Sequence, residues 1–371
     1  MSLTGQWIGR YSGTNNGLLV LDLDDFGTHH AGTACVWDDN LNLPCSIARI
    51  SITSNVMTHH LEGVRLQHVN HHGVELSPET IAQFEKAGGR IPQTADIDIS
   101  LSGSDLTFQW STSIGTSGTG SSTMSKSKAG QRSDLQPLPI KTWTRFKAHA
   151  NSLDPRRFIF RGQSDYRWRL RSSFFRTGRA NLERYLSSDV VELERRLSAI
   201  TKHPFNTANE KEFAAFINLA QHHGFPTPIL DWTWSPYVAA FFAFEGVPKR
   251  VPPKRSAKVR IYQFAAADWN RLKYYKNLFP FQPHVSILNA LAFDNPRAIP
   301  QQAIATMSNV DDVESYILKL ERPDLRFLQV IELDARERDT VMRELDLMGI
   351  NSASLFPSLD GACASLRERN F

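Results

Sequence analysis

Along residues 96–102 the chain reads DIDISLS, and every second side chain is apolar: Ile97, Ile99 and Leu101 alternate with Asp96, Asp98, Ser100 and Ser102. A period of two sends the two sets to opposite faces of an extended strand, one to be buried and one to meet water. A helix would instead repeat its apolar positions at three and four residues. Similar short runs, GLLVLDLDD, AGTACVWDD, SIARISITS and DLTFQWSTS, are separated by Gly, Asn, Asp and Ser clusters at turn-like spacing. Seven or eight such half-buried antiparallel strands predict a small all-β barrel or sandwich over residues 1–130.

The pattern then changes. Between Ser113 and Ser133 the chain is dominated by Gly, Ser, Thr and Lys, a composition with too little apolar surface to order itself unaided. It predicts a frayed last strand running into a linker, 131–140, ahead of a mixed α and β region over 141–371. There, residues 181–201 and 209–222 carry apolar side chains at three- and four-residue spacing, as amphipathic helices do. PYVAAFFAFEG predicts a more buried helix, VRIYQF and FLQVIELD predict strands, and RERDTVMRELDLMGI predicts a helix near the end.

Charge divides along the same line. Residues 1–130 hold 7 Lys+Arg against 12 Asp+Glu, and the remainder holds 35 against 26. An acidic first part and a basic second part suggest two units with different partners, the basic one suited to phosphate-bearing ligands. No apolar run approaches the roughly 20 residues of a membrane span, and MSLTGQWIGR lacks the features of a secretion signal. A cytoplasmic protein that does not engage membranes is therefore expected. Cys35, Cys45 and Cys363 are too widely spaced for a zinc site and too few for a disulfide framework. The histidine pairs 29–30, 59–60 and 71–72 put neighbours on opposite strand faces, so no metal site is expected from them.

Two stretches carry candidate chemistry. In FIFRGQSDYRWRLRSSFFR, residues 158–176, Arg161 stands at the exit of an apolar strand, followed by Gly162 as a turning point. A guanidinium fork there suits a pyrophosphate or carboxylate, or else pins the strand end by pairing with a neighbouring acid. Beyond it, Arg167, Arg169 and Arg171 alternate with Tyr166 and Trp168, which on an extended chain gathers the three arginines on one face for a nucleic-acid phosphate backbone. In LAQHHGFPTPILDWTWSPYVAAFFAF, residues 219–244, a helix ends at His222 and Gly224, and Pro226 and Pro228 force an extended turn. Asp231, Thr233 and Ser235 follow at alternate positions, with Ser235-Pro236 opening the next helix. Each of these polar groups also has a plain structural use as a cap. PKRVPPKRSAK, residues 248–258, predicts an exposed basic loop.

FRGQSDYRWRLRSSFFR, AQHHGFPTPILDWTWSP and, near the C-terminus, GINSASLFPSLDGACASLR together resemble the FRG domain family, named for its Phe-Arg-Gly motif, over about residues 141–371. Pro228 stands where members usually carry Arg, and Gln301-Gln302-Ala303 is the nearest counterpart of their Gln-Gln-Gly-aromatic run. The opening GQWIGRYSGTNNGLLVLDLD is similar to the start of lipocalin-like small barrels. The FRG resemblance implies a bacterial or phage-related protein with an α+β fold similar to that of ADP-ribosyltransferases. It further implies an NAD-dependent transferase, acting as a toxin or an anti-phage effector on a macromolecule, nucleic acid before protein.

In that reading Arg161, Gly162, Tyr166, Thr227, Thr233 and Gln301 hold NAD, while His222, Asp231 and the strand residue Glu332 are the catalytic candidates. The competing reading is a non-enzymatic module that binds nucleic acid or a nucleotide. In both, the β-domain is an accessory that recognises the target or docks a neutralising protein.

Overall fold

The computed structural model describes residues 3–53, 56–201, 203–249, 253–272, 281–288 and 295–370. Its first eight strands are β1 (Gly5–Gly13), β2 (Asn16–Asp25), β3 (His29–Asp38), β4 (Cys45–Thr53), β5 (Thr58–Val69), β6 (Thr94–Ser102), β7 (Asp105–Thr112) and β8 (Gly115–Lys126). They form a closed antiparallel barrel in which β8 returns to pair with β1, setting Trp7 opposite Lys126 and Tyr11 opposite Ser122. Closure leaves no open sheet edge. Ile97, Ile99 and Leu101 point into the barrel core with Trp7, Leu21, Leu23, Ile50 and Met124, and Asp96 and Asp98 lie outside, as the alternation requires.

The Gly- and Ser-rich stretch is the main departure from expectation here. Most of it is a twelve-residue strand, β8, that closes the barrel. Its backbone supplies the ladder to both neighbours, and its composition serves the interior: Met124 is fully buried, and Gly120 lies under the Trp110 ring, where a Cβ would come within 2.5 Å of it. Order comes from pairing on both edges rather than from apolar content.

The second unit is a six-stranded sheet in the order β12-β13-β10-β9-β11-β14, with β9 (Ile159–Gln163), β10 (Ile229–Thr233), β11 (Lys258–Phe264), β12 (Val285–Leu288), β13 (Ala303–Ser308) and β14 (Leu328–Asp334). Every neighbouring pair is antiparallel. Helices Trp143–Ser152, Pro236–Glu245 and Arg338–Leu347 cover one face around Phe160, Val259, Ile261 and Ile331. Helix Glu210–His222 extends that layer over β10, β13 and β12 through Phe213, Phe216 and Ile217, packed on Ile229 and Met307. The other face is closed by Trp269, Val313 and Ile317, packed on Ile159, Tyr262 and Val330. The apolar period had placed the helices 210–222, 236–245 and 338–347 closely. Residues 250–252 of the basic loop lie outside the described residues.

The two units are joined by buried polar contacts. Gln6 donates to Asp22 Oδ1 at 2.9 Å and to the Asn309 carbonyl at 2.7 Å, and accepts from the Asp311 amide at 2.9 Å. Asp24, 1% exposed at its side chain, accepts from the backbone amides of Ala180 and Asn181 and from Arg179. The linker is anchored too. Ser133 is buried, donates to Glu314 and accepts from Arg260 Nη1.

Candidate functional site

The Phe-Arg-Gly triplet lies within β9, where the pleat separates its roles. Phe160 and Gly162 face the helix Pro236–Glu245. Phe160 is 3% exposed in the core, and a Cβ on Gly162 would sit 1.9 Å from the Ala239 carbonyl oxygen. Gly162 is therefore a helix-packing residue with a negative φ, and neither the turning point nor the ligand contact expected of it. Arg161, mid-strand rather than at a strand exit, projects to the opposite face with Gln163.

On that face the sheet parts. β9 and β10 share one backbone pair, Phe160 opposite Thr233, and separate beyond it. Arg161 bridges the gap, its Nη1 donating to the Asp231 carbonyl at 2.5 Å, while its Nε is buried without a hydrogen-bond partner among the described residues. Burial pushes the guanidinium pKa down, and the Asp231 charge opposes that shift. Arg176 is lowered for the same reason, with Arg161 and Arg171 adding repulsion and Asp231 opposing it. Arg161 and Arg176 thus share the field of one carboxylate, Asp231, while Arg171 has an acid of its own in Asp311.

Asp231 belongs to a strand rather than to the turn expected between two helices. Its Oδ1 accepts from Gln221 Nε2 at 2.5 Å, and Gln221 Oε1 accepts from Thr227 Oγ1. One amide thereby ties the end of helix Glu210–His222 to the strand carrying the acid. His222 stands beside it, its Nε2 buried without a partner among the described residues. Burial lowers its pKa, with Asp231 opposing and Arg297 and His223 reinforcing, so the ring is neutral near pH 7.

Gln163, two residues on from Arg161, opens onto a cleft of about 690 Å³ that Asp165, Arg167, Trp168, Arg169, Arg171 and Arg176 also line, with residues 129–132 as a further wall; Arg161, His222 and Asp231 do not line it. Trp168 is 55% exposed. Gln163 Oε1 is a further buried polar atom without a partner among the described residues. Tyr166 accepts from Arg132 at 3.0 Å, and that guanidinium lies over its ring, 4.9 Å from the centroid.

The row of alternating arginines is not a row. β9 ends at Gln163, a turn follows at Tyr166 and Arg167, and residues 168–172 pair with no strand among the described residues. Arg167 folds back onto Asp165 at 2.6 Å. Arg169 is buried, bonded to Asp312 at 3.0 Å and to Asp134 at 3.0 Å, which commits its guanidinium to the interior. Arg171 pairs with Asp311 at 2.6 Å but keeps partial exposure in the cleft.

The other candidates, Tyr166, Thr227, Thr233, Gln301 and Glu332, lie outside the cleft lining as well. Glu332 is on the edge strand β14, buried between Arg260 at 2.6 Å and Lys258 at 3.0 Å, with two strands between it and β10. Gln301 is buried, donates to the Leu355 carbonyl and receives Thr233 Oγ1 on its own carbonyl, so both residues brace the sheet. Thr227 is fully buried, its hydroxyl donating to Gln221 and its amide to Ser173 Oγ. Sequence reasoning missed Arg176, Gln163 and Gln221. Strand alternation from Arg161 reaches Gln163, whereas Arg176 reaches the site through the short helix Ser173–Arg176, which no two-residue period tracks.

Comparison of the chain with curated proteins and with solved structures returned no match. Residues 156–250, which include β9, the arginine-bearing segment, the Gln221–Asp231 tie and helix Pro236–Glu245, match the family described as FRG domain.

Proposed function

We propose that the parted strands hold the pyrophosphate of NAD, and that the domain transfers ADP-ribose from it to a macromolecule, nucleic acid before protein. The observation that carries this reading is Arg161, a desolvated guanidinium with an unpartnered Nε at the split between β9 and β10. Arg171 and Arg176 add positive charge for the second phosphate, and the exposed Trp168 ring offers a stacking surface for a base. In the reaction, the bond between the nicotinamide nitrogen and ribose C1′ breaks and nicotinamide departs with the electron pair. The acceptor's nucleophilic atom bonds to C1′ and gives up its proton. Asp231 supplies negative charge beside the oxocarbenium-like sugar, and the neutral His222 takes the proton. Setting this chemistry in a bacterial toxin or an anti-phage effector extends the FRG resemblance and carries no further residue argument.

The second reading is a nucleotide-binding module without turnover. It is favoured by Asp231 being already engaged by Gln221 and by Glu332 lying away from the cleft. Purified protein incubated with NAD and cellular RNA, DNA and protein distinguishes the two. Under the first reading nicotinamide is released and one polymer class is labelled, and Arg161→Lys lowers the rate at least about 100-fold, because a point charge does not replace the fork. Saturable NAD binding by calorimetry with no nicotinamide release would establish the second reading. Absence of both binding and release would remove NAD from the account.

A further inference from the structure

The barrel is filled at one end and hollow at the other. Near its Trp7 end, Leu23, Ile52, Leu101, Leu106 and Met124 pack the interior. Towards the opposite end the wall is made of alanines: Ala34 sits directly across from Ala48 on β3 and β4, and Ala95 faces inward from β6. Side chains this short do not reach the axis, and they border a cavity of about 150 Å³. A cavity of that size accommodates a single aromatic ring or a small fused one.

Three aromatic side chains, Tyr11, Phe108 and Trp110, line the same space. Two are held from behind by glycines. A Cβ on Gly17 would come within 2.5 Å of the Tyr11 ring, and one on Gly120 within 2.5 Å of the Trp110 ring. Tyr11 and Trp110 meet edge to face with centroids 5.2 Å apart, which fixes both orientations. Polar groups converge at the open end. Tyr11 Oη donates to Asp38 Oδ2 at 2.9 Å, leaving that carboxylate with further lone pairs. Thr112 lines the cavity, its Oγ1 buried without a partner among the described residues. His68 contacts the Pro92 carbonyl through Nε2 at 2.6 Å and Ser46 Oγ through Nδ1 at 3.2 Å, and burial lowers its pKa, so it is a neutral, oriented wall. Apolar walls with a few aimed polar groups are the general make-up of a small-molecule site.

We infer that the hollow end of the barrel binds a small planar heteroaromatic molecule, its ring among Tyr11, Phe108 and Trp110 and an N–H edge directed at Asp38. This site is independent of the cleft in the second unit and of the NAD reading.

Indole is the probe, with cyclohexanol as an aliphatic control of similar size, titrated calorimetrically into the full chain. The expected result is saturable indole binding at least ten-fold tighter than cyclohexanol. Ala48→Phe, which projects a ring into the cavity, should weaken it at least ten-fold while the circular dichroism spectrum is retained. No saturable indole binding, equal binding of cyclohexanol, or unchanged affinity in a folded Ala48→Phe variant would overturn the inference. Should Ala48→Phe fail to fold, intermolecular nuclear Overhauser effects in the wild-type chain decide. Contacts from indole to the Trp110 and Phe108 rings support the site, and contacts elsewhere only refute it.

Discussion

At the scale of single residues, the Phe-Arg-Gly triplet shows how a strand's pleat divides labour among three neighbours. Phe160 and Gly162 seat a helix, and Arg161 alone faces the parted strands. Gly162→Ala should therefore damage folding rather than ligand contact. The added methyl meets backbone of Ala239 and Ala243, which cannot rotate aside. A cost of at least about 3 kcal/mol is expected, the upper end for overpacked sites, read as a fall in the urea midpoint. Arg161→Lys, by contrast, should leave that midpoint nearly unchanged and, on the proposed NAD reading, show its loss in the turnover rate instead. The arginines were legible as a cluster in the sequence, but their allegiances were not. Which guanidinium meets an acid depends on Asp311, Asp312 and Asp134, and two of these lie some 140 residues away in the chain.

At the scale of elements, the segment after β9 carries the sharpest contrast. Arg169 is held by two acids in the interior and Arg167 by one at the surface. Arg169→Ala strips a buried partner from Asp312 and should cost about 3 kcal/mol or more. Arg167→Ala, losing an exposed pair, should cost less than about 1 kcal/mol. Thermal unfolding of the two variants side by side checks this, and equal losses would contradict the burial assignment. β8 teaches the complementary lesson. A Gly, Ser and Thr composition argued for disorder because the argument counted apolar side chains, whereas barrel closure depends on backbone pairing with β1 and β7. The helices at 210–222, 236–245 and 338–347, by contrast, were legible from their apolar period, whereas Trp143–Ser152 and Leu359–Asn370 were not foreseen.

At the scale of the whole molecule, the barrel and the FRG-bearing unit act as one body through Asp24, Gln6 and the anchored linker. Asp24→Ala leaves the two buried amides of Ala180 and Asn181 without their acceptor and Arg179 with Asp189 alone, and should cost about 3–5 kcal/mol at the interface. Denaturation should then split into two transitions, with faster protease cleavage between residues 127 and 140. The interface also has a pH signature. Burial holds the Asp22 carboxyl well above the usual range, with the Asp24 and Asp311 charges adding to the rise. Between its unfolded and folded pKa the folded state binds more protons, so this group's contribution falls as pH rises through that window. His68 and His222 are displaced downward by burial, so the unfolded state binds more protons and their contribution is lost as pH falls below about 6.5. Asp22→Asn should accordingly raise the thermal midpoint at pH 8, with a smaller gain at pH 5.

The sequence by itself determined a β-rich first part, a mixed second part, the positions of the helices at 210–222, 236–245 and 338–347 and the FRG resemblance, because periodicity and short motifs are local properties written residue by residue. It marked Arg161 on an apolar strand and His222 and Asp231 around a proline turn, and the FRG resemblance grouped the three. Only the tertiary structure decided that β9 and β10 part beside Arg161, that Arg169 and Glu332 are committed to buried ion pairs, and that the barrel is hollow at one end. Each of these rests on partners far apart in sequence. Whether a charge is paired, or a small residue leaves a void, is set by what the fold brings opposite it.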